Sequence, residues 1–246
     1  MEKAQKLKVG FLSALVPTIL VILLVTFIIV VVNYVSKMGP NEINRKAEYY
    51  SQLADYAPKN ATVFFGDSIT ELCRTNDIYG EYSEKSGIQV LNRGISAETT
   101  DSMLARLDSS IIAIKPRNLV MLMGVNDLNK GTSQEQINDN IRSIIKRVKE
   151  KSPETNIVLE AVYPTDTDRK SAYERIQLKG RDSATIASLN KKLAEMAQKE
   201  DVRFLDVTDI LADENGNLRK DYTFDGLHPN ISGYLAVRDS IIAELI

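Results

Sequence analysis

The sequence predicts an α/β domain built on a mostly parallel, five-stranded sheet with helices on both faces, preceded by one membrane-spanning helix. Three observations carry this. A charge-free stretch lies near the N-terminus, short apolar runs recur along the rest of the chain, and amphipathic helical patterns separate those runs. Strand alternating with helix implies crossover units, which lay successive strands parallel.

The apolar stretch comes first. From Phe11 to Val32 the chain reads FLSALVPTILVILLVTFIIVVV, without a charge. At 1.5 Å per residue these roughly 22 residues reach about 33 Å, enough to cross a hydrocarbon core of about 30 Å. Pro17 falls early in the run, where a membrane helix tolerates it. A core helix would rarely be apolar on all sides over this length. A secretory apolar region of about 7–15 residues would end at a small-x-small cleavage site, whereas NYVSKMGP follows here. The expected division is a basic tail over 1–10, a transmembrane anchor over 11–35, a stalk over 36–60 and a folded domain over 61–246. The stalk starts near Pro40, has helical character through NRKAEYYSQLADYA, and ends at Pro58. Lys3, Lys6 and Lys8 before the anchor match Lys37, Arg45 and Lys46 after it, so the positive-inside rule is tied. A lysine-bearing tail on the first apolar segment still favours a single-pass membrane protein with its domain outside the cell.

Five apolar runs predict the strands: Thr62 to Phe65, Ile88 to Leu91, Leu119 to Met123, Ile157 to Val162, and Val202 to Leu205. Each is short and bounded by Gly, Pro or Asn, the pattern of a buried strand. Between them, Ile137, Ile141, Ile144, Ile145 and Val148 form a helical stripe, with Ser133 and Gln136 as a capping box at its start. A second helix is expected over Ser183 to Lys199 and a last one over Ser232 to Leu245. About 185 residues suffice for one such domain.

Charge and residue counts exclude several functions. Lys plus Arg is 31 against 33 for Asp plus Glu, a net charge of -2, which argues against a nucleic-acid partner bound through phosphates. A single Cys rules out an intramolecular disulfide, and a single His, His228, nearly excludes a zinc site. Two glycosylation sequons, at Asn60 and Asn230, read as chance matches.

In a parallel sheet, reactive groups gather at the carboxyl ends of the strands. The first strand ends in Gly66-Asp67-Ser68-Ile69, the second in Asn92-Arg93-Gly94-Ile95-Ser96, the third in Gly124-Val125-Asn126-Asp127. The only His lies in Asp225-Gly226-Leu227-His228-Pro229, before the last helix. A serine hydroxyl needs a base within hydrogen-bond reach, and an imidazole suits that task. Asp225 can hold the imidazole tautomer. The backbone N–H groups of Ser68 and Gly94 and the side-chain amide of Asn126 are candidate oxyanion donors. Each piece alone reads as an ordinary turn or cap; the ordered set does not.

Those blocks resemble the SGNH hydrolases, also called the GDSL esterase/lipase family, over residues 61–246. The resemblance implies Ser68, Asp225 and His228 as catalytic triad, and Ser68, Gly94 and Asn126 as oxyanion hole. It also implies a flavodoxin-like three-layer α/β/α sandwich and hydrolysis of carboxylic esters without metal or cofactor. The FDGLHPN ending is most similar to the bacterial branch near platelet-activating-factor acetylhydrolase and the carbohydrate acetylesterases.

Other residues carry weaker expectations. Cys73 reads as a buried structural thiol, Arg74 as solvated or meeting a polar substrate group, and Asp67 and Asp127 as loop braces. Thr165 and Asp166 are expected to line the pocket. The leading function is a membrane-anchored serine esterase acting on a small-molecule or polysaccharide ester. An acyltransferase, a lipase or thioesterase, and a non-catalytic surface module are the alternatives.

Overall fold

In the computed structural model, residues 2–168 and 171–246 are described. The chain forms two compact units, Met1–Asn44 and Arg45–Ile246.

The first unit holds most of helix α1 (Glu2–Ala54). Among the described residues this is the one helix long and apolar enough to cross a membrane, with a mean hydropathy of 3.2 over its most apolar window. Residues such as Leu20, Ile22 and Leu23 are exposed, with nothing packed over them. The helical character expected after Pro40 is present through Ala54, but Pro40 lies inside α1 rather than at a boundary. The folded domain begins at Arg45 rather than at residue 61. The reason is contact. Lys46 pairs with Glu71 at 2.5 Å, the Tyr50 ring sits 4.9 Å from the Arg93 guanidinium carbon, and Ala54 is buried.

The second unit continues with β1 (Thr62–Gly66), α2 (Ser68–Leu72), α3 (Thr75–Ile78), α4 (Gly80–Ser86), β2 (Val90–Asn92) and α5 (Thr100–Ser110). Then come β3 (Asn118–Leu122), α6 (Val125–Lys130), α7 (Gln134–Lys151), β4 (Asn156–Glu160), α8 (Ala172–Gln177), α9 (Ser183–Lys199), β5 (Arg203–Leu205), α10 (Thr208–Leu211) and α11 (Ile231–Ala243). All five strands pair in parallel, in the order β2-β1-β3-β4-β5. That is the flavodoxin-like order, with its switch point between β1 and β3. Helices α5, α7 and α9 pack side by side, while α11 packs with α3 and α10. Right-handed crossovers place these two sets on opposite faces. The five-stranded α/β expectation is therefore met.

Strand boundaries moved by one or two residues, because polar side chains found partners. Asn118 and Asn156 start β3 and β4, with Asn156 Nδ2 donating to Asn118 Oδ1 at 3.0 Å and Asn118 Nδ2 to Thr62 Oγ1 at 3.0 Å. Strand β4 stops at Glu160 although the next residues are apolar. There Asn190, from α9, takes the place of a strand partner: it accepts from the Val162 N–H at 2.8 Å and donates to the Val162 carbonyl at 2.9 Å. Helix α7 forms half of its expected capping box. Ser133 Oγ accepts from the Gln136 N–H, but the Gln136 side chain donates to Asn140 instead.

Glu160 is fully buried and accepts from Tyr163 Oη at 2.7 Å. Burial pushes its carboxyl up to about 7. A carboxyl raised in the folded state ionises first in the unfolded chain, so stability falls as pH rises from about 4.5 to about 7. Glu160→Gln is expected to remove part of that slope, on the order of 1–3 kcal/mol. Melting temperatures of both proteins between pH 5 and pH 8 check this; parallel curves would show that Glu160 does not titrate there.

Candidate active site

Strand β1 is followed at once by α2, and the turn between them presents Ser68. Asp67 caps α2, its Oδ1 accepting from the Ile69 N–H at 2.9 Å. Gly66 is required at the strand end, because a Cβ there would lie 2.3 Å from the Leu122 carbonyl oxygen. Ser68 is 9% exposed and begins α2, where a backbone N–H has no partner within the helix.

The 225–228 turn meets Ser68 from the opposite end of the chain. Asp225 Oδ1 accepts from the N–H groups of Leu227 at 2.9 Å and His228 at 2.8 Å. Asp225 Oδ2 lies 2.6 Å from His228 Nδ1, and His228 Nε2 lies 2.8 Å from Ser68 Oγ. Burial acts to raise the Asp225 carboxyl, but hydrogen bonds from the His228 ring and the two N–H groups outweigh it and hold the group well below the usual carboxylate range. An ionised Asp225 only accepts, so Nδ1 carries the proton and Nε2 is left to accept from Ser68. Thr223 Oγ1 braces the turn by donating to the His228 carbonyl at 2.8 Å.

Asn126 lies in the first turn of α6, after Gly124, whose φ of +114 suits glycine. Its Nδ2 donates to the Glu98 carbonyl at 2.9 Å, and its Oδ1 accepts from Arg181 Nη2 at 2.6 Å. The amide also carries a second N–H. Asn126→Ala is expected to lower kcat about 10²- to 10³-fold. Steady-state kinetics on p-nitrophenyl acetate check this, and a change confined to KM would count against the oxyanion role.

Gly94 presses against α2, and a Cβ there would lie 2.3 Å from the Glu71 nitrogen. Its N–H does not stand open as expected. It donates to Asn92 Oδ1 at 2.9 Å, while Asn92 Nδ2 donates to the Thr70 carbonyl at 2.7 Å and the Cys73 carbonyl at 2.9 Å. Asn92 thus ties the end of α2 to the Gly94 loop. Tyr50 Oη, from the last turns of α1, reaches the Gly94 carbonyl at 3.4 Å.

The remaining expectations divide. Cys73 is a buried free thiol pushed up to about 12, by burial and then by Glu160. Arg74 pairs with Asp77 on the surface at 3.1 Å. Asp127 braces its loop by accepting from Thr100 Oγ1 at 2.6 Å and the Thr100 N–H at 3.0 Å. Thr165 and Asp166 do not line an open pocket, being 0% and 1% exposed. Thr165 Oγ1 donates to the Arg181 carbonyl at 2.5 Å, and the Asp166 N–H donates to the Gly226 carbonyl at 2.7 Å. Asp166 thus ties its loop to the 225–228 turn, and Thr165 ties it to Arg181. The Asn230 side chain caps α11, accepting from the Gly233 N–H at 3.1 Å.

Sequence reasoning missed Asn92, Arg181 and the buried pair Glu98–Arg106, whose ionic contact is 2.6 Å. Asn92 stood within a quoted motif and could have been singled out as a turn former. Arg181 lies between helices, with no periodicity to mark it.

Comparison with known proteins bears on the family and the fold. The alpha1 subunit of platelet-activating factor acetylhydrolase IB from Bos taurus is 26% identical over 181 residues, covering 71% of this chain and 70% of that protein. A Streptococcus pneumonia structure, provisionally described as a platelet activating factor, superposes with a TM-score of 0.79 at 27% identity, covering 88% of this chain and 98% of that one. Axe2, an acetylxylan esterase from Geobacillus stearothermophilus, shares the fold with a TM-score of 0.62 at 18% identity, over 76% of this chain and 94% of its own. The model of the GDSL-like lipase/acylhydrolase family matches residues 64–236, from the middle of β1 into α11, and the chain is a member of that family of ester hydrolases.

Proposed function

We propose that the protein hydrolyses short-chain, chiefly acetyl, esters through Ser68 as nucleophile, His228 as base and Asp225 as its orienting carboxylate. The observation that carries this is the unbroken chain Asp225–His228–Ser68, with contacts of 2.6 and 2.8 Å. Attack by Ser68 on the ester carbonyl passes the hydroxyl proton to His228 Nε2, which returns it to the leaving alkoxide. Water then repeats the sequence on the acyl-enzyme. The Ser68 N–H and the Asn126 amide are the oxyanion donors. Gly94 joins them by sharing its N–H between Asn92 and the oxyanion, as three-centre bonds do. The acetylhydrolase relative supports the acetyl preference.

The exposed apolar surface of α1 supports a single-pass membrane anchor, since water would leave those side chains unpartnered. The Lys-bearing tail then faces the cytoplasm, and the esterase acts outside on a surface carbohydrate or lipid ester.

The test uses the full-length protein in detergent micelles. Rates are measured on p-nitrophenyl acetate, butyrate and octanoate, together with acetate release from acetylated polysaccharide. Acetate esters should be fastest. A preference for octanoate would replace this substrate class with a lipase, and acyl transfer to an added sugar in preference to water would replace hydrolysis. Protease added to intact cells should remove the domain; full protection would reverse the orientation.

A further inference from the structure

Arg181 sits in the connection between α8 and α9 and is 4% exposed. A buried guanidinium is costly unless it is fully engaged. Three donors of this one are spent on a single neighbourhood. Nε donates to the Val125 carbonyl at 2.9 Å, Nη2 to Asn126 Oδ1 at 2.6 Å, and Nη1 to the Gln177 carbonyl at 2.5 Å. Two of these bonds hold consecutive residues of the first turn of α6. The other end of the Asn126 amide is held as well, by the Glu98 carbonyl at 2.9 Å. Glu98 itself is gripped by Arg106 through contacts of 2.9, 3.0 and 2.6 Å.

The amide is therefore clamped at both ends, which has two physical consequences. A free Asn side chain can flip, presenting either its oxygen or its nitrogen to the same point. Here a charged donor claims the oxygen, and the reversed amide would set its NH2 group against the guanidinium. A cation on the amide oxygen also draws electron density from the nitrogen and strengthens its N–H groups as donors, the cooperativity expected of linked hydrogen bonds. Burial lowers the Arg181 pKa, and Asp67 and Asp225 counter this by favouring the charged form. Asp67, 1% exposed, has an Oδ2 without a hydrogen-bond partner among the described residues. It is not a ligand of the guanidinium, and burial pushes its own carboxyl up to about 7, so Asp225 is the firmer counter-charge.

We propose that Arg181 is a positioning residue for ester hydrolysis, locking the Asn126 amide so that the N–H not donated to Glu98 faces the oxyanion, and polarising it. The inference rests on the reading of Asn126 as an oxyanion donor, and Arg181 acts only through it. A purely structural Arg181 would tie α6 to the 177–181 turn and leave the chemistry untouched once folding is secured.

A double-mutant cycle on the full-length protein separates these. Arg181→Ala should lower kcat for p-nitrophenyl acetate about 10- to 100-fold, with KM changed by less than about threefold. Added guanidinium, at concentrations that leave the wild type unaffected, should restore part of the loss. In an Asn126→Ala background the same substitution should cost less than about threefold, because the group it acts through is gone. Arg181→Lys provides a second measurement should the Ala variant not fold. It keeps the charge but cannot bridge Val125 and Asn126 together, so its kcat should fall while its melting temperature stays near that of the wild type. Equal losses in the two backgrounds, or wild-type kcat in Arg181→Lys, would overturn the proposal. If Asn126→Ala alone leaves kcat unchanged, the oxyanion reading fails instead, which is a distinguishable result.

Discussion

Ser68→Ala is expected to lower ester hydrolysis by a factor of about 10³ or more, while leaving the fold intact. The substitution removes one oxygen from a residue that is 9% exposed, and the helix start remains capped by Asp67. Nothing nearby replaces the nucleophile. The neighbouring thiol, Cys73, is buried and pushed up to about 12, so it supplies almost no thiolate at neutral pH. Residual activity would reflect water attack aided by the oxyanion donors. The measurement is kcat on p-nitrophenyl acetate, together with covalent labelling of full-length protein by a fluorophosphonate. Wild-type protein should label at Ser68 and the variant should not. An unimpaired Ser68→Ala variant would remove the triad from the proposed function, though not the family membership.

Asp225→Asn carries the second large effect, with a fall in kcat of about 10⁴ expected from the tautomer it imposes. Asp225 Oδ1 is held by the N–H groups of Leu227 and His228, so an Asn oxygen would take that place. Its NH2 group would then face His228 Nδ1 and turn that nitrogen into an acceptor. The ring proton would move to Nε2, which faces Ser68 at 2.8 Å and could no longer accept the hydroxyl proton. The geometry would survive while the base would be lost. Imidazole nitrogen shifts measured by NMR in the resting protein would report the tautomer directly. A variant with the proton still on Nδ1 and full activity would mean that Asp225 is not the orienting group.

The parts of this site that were legible in the sequence share a property: each is tied to the end of a strand or the start of a helix. Ser68, Gly94 and Asn126 follow apolar runs, and a parallel sheet brings the ends of such runs to one edge. His228 was legible because it is the only histidine. Asp225 followed from its spacing to His228. The sheet class followed from alternation of strand and helix. Boundaries were less legible, because a polar residue such as Asn118 reads as a strand stop until its partner Asn156 is known. The stalk was misplaced for a similar reason. Proline at position 40 reads as a helix boundary, whereas the segment from Arg45 onward belongs to the domain through Lys46–Glu71 and the Tyr50–Arg93 contact.

What the sequence by itself determined was the chemistry on offer: a serine, one imidazole, a carboxylate three residues before it, and an amide at a third strand end. It also determined the parallel α/β class and the length of the apolar stretch, though not of the longer helix that contains it, since periodicity and spacing are properties of the chain. Only the tertiary structure decided which donors are spent and which are held in place. The Gly94 N–H already donates to Asn92 and can only be shared with a further acceptor, and the Asn126 amide is clamped between Glu98 and Arg181. Those pairings join residues as far apart as 126 and 181, and no local pattern records them. Hydrogen-bond direction at a buried site depends on what the fold brings within about 3 Å, and that distance is set by packing rather than by sequence separation.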